Sequence, residues 1–316
     1  MNVLKLVFNL LVFPGFLFMM VIGLLLAGID RKLVARMQKR IGPPITQPFY
    51  DFMKLMGKET IVPEQANKKV FLGAPVAGLV ALVVMMLFIP VFSYSSLSTE
   101  SDLIVILYLL TIPGVAMIIG GSSSGSPFAG IGISREMVTM IGYELPLILI
   151  LLAVARVAGG NELCFSLQKI VAFQQSNGNL VFHWAMIPAA VAMLLVIPAE
   201  VGMHPFDVAE AETEICEGSL VEYSGAPLAV FKLTTAMKML VMTSLFTMLF
   251  LGGINTGNVA LNALILVAVC ICVTIVSMTL VHAVTARLKV EQLFKFYWTI
   301  VTALAAVSLF LVWMGL

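Results

Sequence analysis

Charge is what this sequence has least of. Asp, Glu, Lys and Arg make up 11% of its 316 residues and hydrophobic residues 60%, where a soluble domain carries about 25% charged residues. A soluble fold of this makeup would expose large apolar patches and aggregate. Net charge is only +1, and no basic run interleaved with aromatics occurs, which removes nucleic acid as a partner. Histidine and cysteine are also scarce. His183, His204 and His282 are scattered, and Cys164, Cys216, Cys270 and Cys272 form no CxxC pair, so no metal site is expected. No HExxH, no phosphate-cradling Gly-Lys-Ser/Thr and no nucleophile–base set is present. The chain is expected to hold no catalytic centre and no cofactor of its own.

What it has instead is long apolar runs. A bilayer core takes about 20 apolar residues per helix. Eight runs meet that length, at residues 4–27, 70–92, 103–120, 137–157, 181–201, 228–251, 259–284 and 296–316. The first is too long for a secretory signal and lacks a small-residue cleavage site, so it reads as a retained span. The prediction is an all-α, polytopic membrane protein forming one membrane domain over residues 1–316. Pro14, Gly15, Pro113, Gly114 and Pro146 lie inside spans and predict kinks.

Basic residues orient the spans, because loops rich in Lys and Arg stay cytoplasmic. The segment 30–69 holds nine: Arg31, Lys32, Arg36, Lys39, Arg40, Lys54, Lys58, Lys68 and Lys69. The same side carries Arg135, Arg287, Lys289 and Lys295, and the other side little beyond Lys5, Arg156 and Lys169. Both termini are therefore expected outside, with the charged loops facing the cytoplasm of a prokaryotic cell. Within segment 30–69, Gln47 to Met56 reads as an amphipathic helix with one aromatic face. It suits the interface plane or a docked peripheral subunit.

One loop on the cytoplasmic side inverts the charge pattern. Glu200, Asp207, Glu210, Glu212, Glu214, Glu217 and Glu222 follow one another with no Lys or Arg between them. On a helix, Asp207, Glu210, Glu214 and Glu217 would form one stripe. Like charges so stacked resist full ionisation and share protons as a coupled group. An acidic run is ordinarily a solvated face, but carboxylates at a membrane edge are functional candidates. Glu144 lies inside the fourth span, with Arg135 and Glu136 at its entry. Lys238 is too deep in the sixth span to reach water, so it calls for a carboxylate partner or a wet cavity, while Lys232 is near enough the interface to snorkel. His204 adjoins the acids and has two readings, a surface residue or a proton relay. The polar stretch Gly121 to Pro127 reads as a flexible loop.

Three motifs resemble one family. Pro205-Phe206-Asp207, Glu210-Ala211-Glu212, Glu214, Gly218 and Glu222-Tyr223-Ser224-Gly225 are similar to the acidic loop of the respiratory complex I membrane subunit that contacts the peripheral arm. Asp30-Arg31-Lys32 through Arg36, Gln38 and Arg40-Ile41-Gly42-Pro43 resembles its first-loop motif, and Gly125-Ser126 through Arg135-Glu136 and Glu144 its third. After Pro43 the chain passes directly through Pro44-Ile45-Thr46-Gln47 to Pro48. That short passage is similar to energy-converting NiFe hydrogenases of the Ech and formate hydrogenlyase types. The resemblance implies a coupling subunit of an oxidoreductase complex. Its NiFe centre and iron–sulfur clusters would sit in a hydrogenase large subunit and an iron–sulfur small subunit, beside antiporter-like and small membrane subunits. It also implies proton transfer through Glu136, Glu144, Asp207, Glu210, Glu212, Glu214, Glu222 and Lys238, and docking of the peripheral arm on Arg31, Arg36, Arg40 and Arg135. Beside it stand a quinone-reducing or sulfur-reducing relative, and a stand-alone ion transporter. No inverted repeat of the transporter kind is visible.

Overall fold

The computed structural model describes residues 3–92, 96–160 and 162–315, and the long elements among them are all helices. Eight helical stretches are long and apolar enough to cross a bilayer: Lys5–Met37, Lys68–Phe88, Asp102–Ser122, Pro127–Gly159, Trp184–Val201, Gly225–Phe250, Val259–Val284 and Val290–Trp313. The physical reason is backbone satisfaction. Hydrocarbon offers no water to N–H and C=O groups, and a helix pairs them within one segment.

Several boundaries differ from the sequence prediction. The first span is broken, not merely kinked, at Pro14 and Gly15, between α1 (Val3–Leu11) and α2 (Phe16–Met37). The latter runs well past residue 27, so Asp30, Arg31, Lys32 and Arg36 ride on a helix instead of a loop. Lys and Arg are good helix formers, and their stems lie along apolar surface while the heads reach water. The expected amphipathic helix is α3 (Gln47–Met56), packed on α2. Next come α4 (Lys68–Phe88), α5 (Asp102–Ser122) and α6 (Pro127–Gly159), and the last two continue through Pro113 and Pro146. At 33 residues, α6 is about 50 Å long, more than an upright helix needs for a core of about 30 Å. The turn between α5 and α6 is not loose: Ser124 Oγ donates to the Gly121 carbonyl at 2.7 Å and Ser123 Oγ to that of Gly120 at 2.6 Å.

On the opposite face lies a short helix, α7 (Leu167–Asn177). Its buried Gln174 donates to the carbonyls of Met248 and Leu249 and accepts from Gly252 N–H. After α8 (Ile187–Val201) the acidic segment departs from the predicted stripe. Only α9 (Glu212–Ile215) and a single 3-10 turn at Gly218–Leu220 are helical there, and Cys216 and Glu217 have left-handed φ of 51° and 68°. Burial of Phe206, Val208, Ala209 and Ala211 draws this segment down onto the bundle. A continuous helix would instead have stacked its acids on one row.

The next helix, α10 (Gly225–Phe250), is the axle of the fold. It is almost wholly buried and packs on α2, α3, α4, α7 and α8. Two broken spans complete the bundle. In the seventh, a π-turn at Ile275–Thr279 joins α11 (Val259–Thr274) to α12 (Leu280–Val284). In the eighth, a π-turn at Tyr297–Val301 joins α13 (Val290–Phe296) to α14 (Thr302–Trp313). Cys270 faces the core while Cys272 is exposed, as a two-residue spacing on a helix requires.

Candidate functional site

Where the acidic loop meets the bundle, α5, α6, α8 and α10 enclose a cavity of about 40 Å3. That is room for about three waters. Four carboxylates line it, Glu136, Glu200, Asp207 and Glu210, together with Lys238. Glu136 enters from α6, half-buried, one turn before Thr139. Glu200 and Lys238 face each other from α8 and α10, with Nζ 2.7 Å from Oε1. The packing explains why. Lys238 sits on the buried axle and has no path by which to snorkel. Gly202, with φ +75°, closes α8 just beyond Glu200 and turns the chain into the loop. A left-handed terminator is a position glycine tolerates best.

Asp207, Glu210, Glu214 and Glu217 of the loop each meet a cation from another element. Asp207 accepts Nε of Arg287 at Oδ1 (3.2 Å) and Nη2 at Oδ2 (2.7 Å), a fork that is stronger and more directional than a single contact. Lys232 lies 3.6 Å from Glu210 and 3.8 Å from Glu217. Arg135 reaches Glu214 at 2.6 Å and the Val208 carbonyl at 3.4 Å. Burial pushes the Glu210 carboxyl above its ordinary value; Lys232 opposes this, while Glu217 and Asp207 add repulsion. Burial likewise raises the Tyr223 phenol, whose hydroxyl donates to the Phe71 carbonyl at 3.1 Å beneath the stacked Phe71 ring. That contact clamps the loop's end to α4.

The loop sits tightly on α6. A Cβ at Gly132 would collide with Ser219 N, lie 2.9 Å from Gly218 C and 3.0 Å from the Ala209 carbonyl. Glycine there lets two backbones touch.

The predicted residues therefore divide. Glu136, Asp207, Glu210 and Lys238 share the cavity. Glu144 is about two turns beyond Glu136 along α6, half-buried and outside that lining. Glu222 is also half-buried and outside it. Glu214 is half-exposed and tied to Arg135. Glu212 has a side chain that lies outside the described residues. Arg135 points inward to the loop, and Arg31 pairs with Asp51 of α3 at 3.1 Å. Arg36 and Arg40 are exposed. Sequence reasoning passed over Glu200 as a site residue, treating it as the first acid of a loop. Its place at the end of an apolar span, just after Pro198, was the available signal. Among the described residues, no three His, Cys, Asp or Glu side chains gather so as to hold a metal ion.

Two wider spaces lie nearby. One of about 380 Å3 shares Asp207 and Glu210 with the cavity and adds Arg31, Lys232, His282 and Arg287. The other, about 330 Å3, lies between α2, α3 and α10 and is walled by Leu24, Phe52, Leu55 and Leu233 together with the charged Arg31, Asp51, Lys54, Glu217 and Lys232.

Comparison with known proteins identifies the architecture. The family model described as NADH dehydrogenase matches residues 9–313. Hydrogenase-4 component C of Escherichia coli is 37% identical over 232 residues, 72% of this chain and 70% of that protein. Formate hydrogenlyase subunit 4 of the same organism is 33% identical over 285 residues, 87% of this chain and 89% of that one. Among solved structures, a chain of the membrane-bound sulfane sulfur reductase, an archaeal respiratory membrane complex, superposes with TM-score 0.88 at 32% identity, covering 98% of both chains. The chain is a multi-pass membrane protein that belongs to the NADH dehydrogenase family of complex I-like membrane subunits.

Proposed function

We propose that this chain anchors and couples an energy-converting NiFe hydrogenase complex, linking ferredoxin-dependent hydrogen chemistry in a peripheral arm to proton or sodium movement through the membrane. One observation carries the coupling part: four carboxylates and Lys238 line a water-sized cavity at the junction of loop and bundle. Neighbouring groups able to hold or release a proton, with waters between them, are what a charge path needs. Glu136, Asp207, Glu210, Glu200 and Lys238 form its inner end, and Glu144 continues it along α6. Glu212, Glu214 and Glu222 flank it. The hydrogenase identity is supported by the likeness to hydrogenase-4 component C and formate hydrogenlyase subunit 4. The redox centres belong to partner subunits. The face bearing the acidic loop is cytoplasmic, by the excess of bases on that side. Arg36 and Arg40 are free to meet the arm there, whereas Arg31 and Arg135 brace α3 and the loop.

A second reading has its own observation. The mixed space between α2, α3 and α10, with leucines and Phe52 beside charged side chains, suits a ligand with an apolar tail and a polar head, as a quinone-reducing relative would require. Native purification of the complex from its cell decides between them. A NiFe subunit and ferredoxin-driven hydrogen evolution support the first reading. Quinone-dependent turnover without a NiFe subunit supports the second. Ion flux through the isolated chain in liposomes would defeat both in favour of a stand-alone transporter.

A further inference from the structure

A second cluster of titratable groups lies beside the cavity, between α2, α12 and the acidic loop. Its root is Asp30, which is fully buried on α2. Oδ1 accepts a hydrogen bond from Thr279 Oγ1 at 2.7 Å, at the end of the π-turn. Oδ2 is buried and has no partner, and so is Nδ1 of His282. These two orphaned atoms face each other at 3.7 Å. A buried carboxylate oxygen left unpaired is costly, and a proton held between the two would serve both.

The cluster continues outward. The His282 and His204 ring centroids are 5.0 Å apart. His204 Nε2 lies 3.1 Å from the Thr285 carbonyl, which can only accept, so Nε2 carries a hydrogen. Its other nitrogen, Nδ1, is 3.5 Å from Asp207 Oδ1, on a carboxylate that the Arg287 fork also grips. A neutral His204 would thus turn a lone pair toward an anion, and a doubly protonated one would turn an N–H. Two imidazolium ions this close repel, so a proton on one ring discourages a proton on the other. The other charged groups facing this space are Arg31 of α2, Lys232 of α10, and Glu210 and Glu217 of the loop.

We propose that Asp30, His282, His204 and Asp207 form a second proton-holding array, in which His282 serves the buried acid of the first span, His204 serves the acidic loop, and the two imidazoles are coupled by charge across their 5.0 Å separation. In the inner step, Nδ1–H of a doubly protonated His282 passes its proton to Asp30 Oδ2. Imidazolium and carboxylate become imidazole and carboxylic acid, with no change in net charge. His204, partly open to solvent, accepts a proton at Nδ1 from a hydronium ion of the bulk, which leaves as water, and its N–H turns to Asp207. The π-turn matters because it sets Thr279 against Asp30. The service of this array to ion transport rests on the coupling reading above. Its shared titration does not.

The test uses the full chain in lipid nanodiscs with 15N-labelled imidazoles. The sequence has only three histidines, and His183 is exposed on the opposite face as an internal reference. Ring 15N shifts followed across pH should give one step for His183 and two common steps for His204 and His282. Asp30→Asn should abolish the second step in both rings, and so should the milder Thr279→Val. Single independent steps for His204 and His282 in the wild-type chain, or a His204 profile indifferent to both substitutions, would overturn the proposal. Two-step titration in a complex that moves no ions would leave the array standing and defeat the coupling reading alone.

Discussion

Nζ of Lys238 lies 2.7 Å from Oε1 of Glu200, with both side chains over nine-tenths shielded. Neither charge could stay here alone. A charged residue deep in a bilayer costs about 2.5–3.5 kcal/mol even on lenient insertion scales. Each therefore justifies the other, and the pair joins α8 to α10 directly beside the acidic cavity.

Removing one member should therefore hurt more than removing both. Lys238→Met or Glu200→Gln is expected to cost about 3–5 kcal/mol, because one charge or polar head loses its partner. The double substitution should recover a large part of that. Thermal unfolding of the four chains in detergent gives the coupling energy. Additive losses would mean the pair is not an interacting unit.

Gly132 and Gly130 make an internal control on α6. Ala at Gly132 meets the backbone of residues 209, 218 and 219, while Ala at Gly130 meets nothing within 4 Å. Gly132→Ala should expose the acidic loop to amide exchange, by tenfold or more. Gly130→Ala should leave the loop protected and strengthen the helix by about 1 kcal/mol.

The pH dependence of the loop follows from Glu210. Its folded carboxyl is raised above the ordinary 4.5, chiefly by burial, so the folded state binds the proton more tightly than the unfolded one. The sign is then fixed: this group's contribution is fully present below pH 4.5 and is lost as pH rises through the folded value. Loop amides should exchange faster across that interval, and Glu210→Gln should remove the effect. Lys232→Met takes away the opposing cation and should move the loss to higher pH. The protonated carboxyl band of Glu210 in infrared difference spectra checks both.

Glu144 tests the direction of the charge path. Glu144→Gln should leave the complex assembled and its redox turnover intact when uncoupled, while ion transport per turnover falls several-fold. Unchanged transport would remove Glu144 from the path and confine it to the cavity groups.

Eight spans were legible in the sequence because span length answers to bilayer thickness, and apolar runs report it without any tertiary context. The charges were legible only as an inventory. Asp30 and Arg36 looked like loop residues because apolarity fades at residue 27, yet α2 carries on to Met37. Asp207 to Glu217 would have put four acids in one row had it been helical, but Phe206 and Val208 are buried and the segment is mostly not helix.

The partners of those charges come from far away in the chain. Asp207 meets Arg287, Glu214 meets Arg135 and Asp30 meets Thr279 and His282. Sequence by itself determined the membrane class, the number of spans, the family and the presence of an acidic loop, all of which depend on composition and local order. Only the tertiary structure decided which acid faces which cation, and that Glu200 and Lys238 share one cavity. Contacts between elements so distant in sequence arise only when the helices and the acidic loop pack together, and no local spacing encodes them.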